Sequence, residues 1–168
     1  GGRRVMAISR VASSAATANS GGTQATTINI VLGVTPTAGN IIAIAFASSS
    51  PITGVSGTNI SFSIITAIGA SASTAGLIIG RVFGSASATI TVNVSSAAGI
   101  ALAGAEYTGT NIRLDRTVNA TGSSTSAASG ATSTTETANE LWIGAIGTRL
   151  TSGVTYSAPT NSFAIVNQ

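Results

Sequence analysis

The sequence predicts an all-β domain, and three observations carry that prediction. Short apolar runs, some alternating with polar residues and some continuous, recur at the spacing of a sandwich or barrel, with Gly, Pro, Asn and Ser between them. Isoleucine outnumbers leucine about threefold, a β-branched bias that suits pleated sheet. Nowhere do apolar residues recur with the period of an amphipathic helix. Irregular loop lengths suit connections that cross between sheets. The expected architecture is therefore a two-sheet antiparallel β-sandwich of jelly-roll type, with about eight to ten strands and an N-terminal strand arm.

The organising stretch is residues 99–122. It begins as a continuous small-apolar run through Ala105, Glu106 and Tyr107, breaks at Gly109, and resumes as a polar alternating segment carrying Arg113, Asp115 and Arg116. The first part reads as a strand buried on both faces and the second as a solvated strand. In chain order, residues 3–12 are strand-like and apolar on both faces, and residues 13–24 are a Ser/Ala/Thr/Gly linker. Residues 26–34 alternate, with Ile28, Ile30 and Leu32 on one side. After a turn at Pro36, Gly39 and Asn40, residues 41–47 form a central strand buried on both faces. Pro51, Gly54 and Gly57 break the pattern. Residues 59–66 alternate with Ile60, Phe62 and Ile64 inward, and residues 77–83 and 88–94 follow, the latter with Ile90, Val92 and Val94 inward. Residues 122–138 are a Ser/Thr/Ala tract, either a long loop or a polar edge strand. Residues 141–146 read as a buried strand around the sole tryptophan, Trp142, and shorter apolar pieces lie at 154–156 and 162–166. The chain divides into a strand arm (1–12), a linker (13–24) and a sandwich domain (25–168).

At 168 residues the chain is long enough for one well-formed core. Only 7% of residues are charged while 43% are apolar, which excludes charge-driven disorder. Few charges hold copies apart, so association is favoured. No apolar run reaches the roughly 18 to 20 residues that span a bilayer, so the chain is not expected to cross a membrane. It begins Gly1-Gly2, without an initiator methionine, as a processed chain or an excerpt would. The absence of cysteine leaves the compartment open. Of the net charge of +3, Arg3, Arg4 and Arg10 supply the surplus, and the remaining four arginines balance four acids. A basic face with aromatic residues is missing, so no nucleic-acid partner is expected.

There is no His, Cys or Lys, so the usual general base, thiolate, imidazole ligand and Schiff-base amine are absent. Glu106 and Asp115 are the nearest pair of carboxylates in sequence, but Glu106 beside Tyr107 at a strand end reads as a structural acid rather than half of a glycosidase pair. No acid-rich loop suits calcium, and no glycine pattern suits a phosphate. The expectation is a protein that is not an enzyme, with no cofactor, no metal site and no catalytic residue. Asn59-Ile-Ser, Asn93-Val-Ser and Asn119-Ala-Thr match the glycosylation sequon. Strand parity points Asn59 and Asn93 outward and Asn119 lies near a turn.

The pieces VASSAATANSGGT, TPTAGNIIAIAFAS, SATITVNVSSAAGIALAGAEYTGTN, LDRTVNATGSSTSAASG and TTETANELWIGAIGT cover most of the chain. They resemble the Gly/Ser/Thr-rich β-sandwich domains of bacterial surface proteins and phage tail fibres, and the jelly-roll subunits of pilus-like filaments joined by strand exchange. In such domains a closing apolar strand follows the counterpart of residues 141–146, whereas this sequence stops at Gln168. The resemblance implies an open edge filled by a neighbour's arm through Arg4, Val5, Met6, Ala7, Ile8 and Val11. Taken without the resemblance, the same segment is equally the domain's own first strand. The expected role is a structural subunit of an extracellular, cell-surface homopolymer that is its own head-to-tail partner. The alternative is a carbohydrate- or receptor-binding module of a fibre or adhesin, with glycans as partner. The burial expected of Trp142 counts against that alternative, because sugar platforms use exposed aromatic faces.

Overall fold

The computed structural model describes residues 7–69, 73–109, 111–122, 126, 128–136 and 140–148, with backbone only at 66 and 67. Nine strands form: β1 (Ser9–Arg10), β2 (Ala16–Asn19), β3 (Ala25–Val31), β4 (Ile41–Ser48), β5 (Ile52–Ser56), β6 (Ile60–Gly69), β7 (Thr74–Val82), β8 (Thr89–Ala98) and β9 (Ile100–Thr108). The described residues contain no helix, and all strand pairs are antiparallel. A six-stranded sheet runs β1-β9-β4-β7-β6, with β2 also on β9, and a three-stranded sheet runs β3-β8-β5.

β2 pairs with β9, β3 with β8 and β4 with β7, and β4 also pairs with β9 and β5 with β8. Alternation decides which residues enter the space between sheets. Ile42, Ile44 and Phe46 of β4 meet Ile30 of β3, Ile78 and Val82 of β7, Ile90, Val92 and Val94 of β8, and Ile100 and Leu102 of β9. A second, smaller cluster lies on the far face of the large sheet, built from Ile41, Ala43, Ala105, Tyr107 and Ile112. β4 is thus buried on both faces, as its continuous apolar run predicts.

Five expectations need correction. Residues 13–24 are not simply a linker, because Ala16–Asn19 pairs with β9. β5 forms despite Gly54, with a register shift between Ile52 and Gly54 that accommodates the break. Ile64 is 42% exposed although its register partner Ile78 is fully buried, because β6 is the edge strand of the large sheet and is covered on one side only. The residues carrying Arg113, Asp115 and Arg116 are irregular and not a strand. Residues 141–146 are also irregular and largely exposed, with Trp142 at 49%, since they lie outside both sheets. The apolar pieces at 154–156 and 162–166 fall outside the described residues.

Candidate functional site

The N-terminal segment is an edge strand with a wide break. β1 pairs Ser9 with Thr108 and Arg10 with Tyr107, and β2 resumes with Ala16 opposite Gly104. Six residue steps of the segment therefore span three of β9, and the slack is taken up at 11–15. Ser13 adopts a left-handed φ of 58° within this break. The side chain of Ser14, fully buried, replaces the missing ladder. Its hydroxyl donates to the Val11 carbonyl at 2.7 Å and accepts from the Glu106 amide at 3.1 Å. The Val11 amide donates to the Glu106 carbonyl at 2.9 Å. Gly33 passes so close that a Cβ there would lie 2.0 Å from the Ser13 carbonyl oxygen. Ala16 and Ala18 pack against the main core, and Ile8 and Ala15 against the outer cluster.

Of the predicted assembly residues, the structure places Ile8 and Val11 half-buried on their own chain and Ala7 exposed. Arg4, Val5 and Met6 lie outside the described residues. Nothing in the sequence marks Ser14, one serine in a Ser/Ala tract, as the residue that joins the break.

Glu106 sits at one end of the core and is fully buried. Its Oε1 accepts from the Thr37 amide at 2.7 Å and from Asn40 Nδ2 at 2.6 Å. Oε2 has no partner. The carboxylate thus fastens the β3–β4 connection to β9, the structural role its place beside Tyr107 predicts. Tyr107 points the other way, into the outer cluster. Burial pushes its phenol above the usual range, and Arg10 opposes that shift.

The described residues between 111 and 148 are irregular, and several of them lie on the far face of the large sheet. Ile112 and Ile143 pack on it, and Arg81 donates a guanidinium hydrogen bond to the Ile112 carbonyl. The sheet beneath is floored by small side chains. At Gly147 a Cβ would come within 2.6 Å of Ala75 Cβ and 3.1 Å of Ala47 Cβ. The layer presents apolar residues outward as well, with Leu114, Leu141, Trp142 and Ile146 all exposed.

A polar clamp closes the loop within that layer. Arg116 bridges Asp115 at 3.0 Å and Glu136 at 3.2 Å, and the Glu136 amide donates to Asp115 Oδ2 at 2.8 Å. The Asp115 carboxyl is held below its usual range, first by that amide hydrogen bond and also by Glu140, Arg116 and Arg113. Glu136 is thus engaged by Arg113 and Arg116 of its own chain.

The sequon asparagines are all committed to contacts. Asn59 is exposed in a left-handed turn, and its Nδ2 donates to the Ser85 carbonyl at 2.7 Å. Asn93 is half-buried and accepts from Thr27 at 2.8 Å. Asn119 is exposed and has a partner within the chain. Among the described residues no group of three His, Cys, Asp or Glu side chains could hold a metal, and no helix is long and apolar enough to cross a membrane. Compared with protein families, curated proteins and solved structures, the chain has no match in any of the three.

Proposed function

We propose that the chain is a structural subunit of an extracellular homopolymeric filament, in which the N-terminal segment of one copy docks on β9 of the next. The observation that carries this reading is the way that segment is attached. In β1 and β2 it pairs only with β9, is interrupted by the break at 11–15, and joins the body through residues 20–24, where Gly21 and Gly22 have φ of 62° and 82°. A segment held on one edge and hinged at two glycines can make the same contacts on another copy's β9, and little free energy separates the two arrangements. Head-to-tail transfer leaves a free segment at one end and a free edge at the other, so it propagates as an open filament. Edges on both sheets and the low charge favour close approach of copies. The pairing of β2 with β9, β3 with β8 and β4 with β7 supports the finer reading of the sandwich as a jelly roll, a ribbon wrapped around its core.

Thr17 and Ala103 are register partners on the outward side of the β2–β9 pair. With no native cysteine to compete, the Thr17→Cys/Ala103→Cys variant reports where the segment sits. Oxidation of concentrated protein is expected to give a ladder of covalent multimers in a denaturing gel. Intrachain disulfides alone, at every concentration, would overturn the exchange.

A second reading, a glycan-binding module, is favoured by the exposure of Phe83 (66%) and Trp142 (49%). The burial of Trp142 that counted against it does not occur.

A further inference from the structure

The outer face of the three-stranded sheet is turned away from the core between the sheets. No residue of β3, β5 or β8 is ionisable. Thr27, Asn29 and Val31 of β3 stand opposite Asn93, Thr91 and Thr89 of β8, and Gly54 and Ser56 of β5 complete the third row opposite Asn93 and Thr91. Two cross-strand bonds order the array: Thr27 Oγ1 donates to Asn93 Oδ1 and Thr91 Oγ1 to Asn29 Oδ1, both at 2.8 Å. Each bond uses the side-chain carbonyl oxygen of its asparagine and does not engage the Nδ2 donors. At one end the face opens into a shallow depression lined by Ser56, Gly57, Thr58, Ser87, Thr89 and Thr91. Val31, 57% exposed, flanks it beside its register partner Thr89.

We propose that this face binds a neutral oligosaccharide, laid along the strands with its hydroxyls on the Ser/Thr row of the depression. The proposal rests on the glycan-binding reading and gives it a location whose strands carry no aromatic residue, so the sugar is held by hydroxyl and amide hydrogen bonds rather than by ring stacking. An anionic ligand needs a cation on the face and a cationic one needs a carboxylate, and the three strands have neither. An apolar ligand needs an enclosed apolar lining, whereas this depression is open and lined by hydroxyls. A sugar chain matches what is there, alternating donors and acceptors without charge. Rows about 4.8 Å apart and a rise of about 3.3 Å per residue give a platform roughly 10 Å by 17 Å, which suits a short chain rather than one ring. Side chains already fixed by cross-strand bonds lose little further freedom on binding, which favours affinity.

The test is titration calorimetry of the whole chain with cellohexaose, maltohexaose, xylohexaose and mannohexaose, with hexagalacturonate as the charged control. At least one neutral probe is expected to bind, and the acidic probe is not. Thr89→Val/Thr91→Val keeps the β-branched shape and removes two hydroxyls, and it should weaken binding at least ~10-fold while lowering the melting midpoint by no more than about 2 to 4 °C, the loss of the exposed Thr91–Asn29 bond. Ser61→Ala, on exposed β6 of the other sheet, should bind as the parent does. Should the Thr89/Thr91 variant fold and bind a neutral probe as tightly as the parent, this location is wrong and glycan binding lies elsewhere on the chain. Should none of the neutral probes bind, or only the acidic one, the location and the glycan reading fail together.

Discussion

Glu106 shows how one residue type can carry either chemistry or architecture, with its surroundings deciding. A carboxylate poised for acid-base work needs a cleft, and this one is sealed in the core with two donors on Oε1. Glu106→Leu leaves the buried Asn40 Nδ2 and the part-buried Thr37 amide without their acceptor, and should cost about 2 to 3 kcal/mol in urea unfolding. Glu106→Gln retains the Oε1 acceptor and adds one unpaired donor, so its loss should be smaller, about 1 kcal/mol. If the leucine variant is as stable as the parent, the carboxylate is not what fastens the β3–β4 connection. Gly33 is the other single-residue constraint. Gly33→Ala forces a methyl onto the Ser13 carbonyl, so the break at 11–15 must shift, and hydrogen exchange at the Val11 amide should accelerate by more than tenfold. Unchanged protection there would show that the break has room to relax.

At the scale of elements, the clamp of Asp115, Arg116 and Glu136 ties together the irregular segment over the large sheet. Asp115 has a folded-state pKa below its ordinary value, so its contribution is fully present above the usual aspartate range and is lost as pH falls through the lowered value. Protease access to residues 117–133 should therefore be flat from neutral pH down to about 5 and rise only below about 4. Asp115→Asn should remove that acid-dependent rise. A rise between pH 6 and 8 would contradict the clamp, since no aspartate with a lowered pKa titrates there. The N-terminal segment covers the β9 edge of the large sheet. Removing residues 1–19 uncovers one whole side of β9 and the core face beneath Ala16 and Ala18, so the truncated chain is expected to aggregate at concentrations where the full chain stays dispersed. Full solubility of the truncated chain would mean that another element covers that edge.

At the scale of the whole molecule, Leu141, Trp142 and Ile146 are each exposed apolar side chains on a segment without regular structure. The sole tryptophan gives a direct readout. Its emission should be red-shifted and open to acrylamide quenching in dilute protein, and should move to the blue when copies assemble over that segment. Quenching that is weak at every concentration would place Trp142 in a covered site already within one copy.

The sequence by itself determined the class, the strands from β3 to β9 other than β5, and the inward residues of most of them, because alternation and β-branched runs are local properties that burial only has to obey. It also determined what chemistry is missing, since absent residue types cannot be supplied by folding. Only the tertiary structure decided the fate of segments whose local pattern is ambiguous. Residues 16–19 read as linker by composition, yet pair because β9 presents a free edge opposite them. Residues 141–146 read as a buried strand, yet lie outside the sheets, where Ile143 packs against the outer cluster while Leu141, Trp142 and Ile146 stay exposed. Edge pairing and layer cover depend on which partners are left over once the core has closed, and that is a property of the assembled fold rather than of any short stretch of chain.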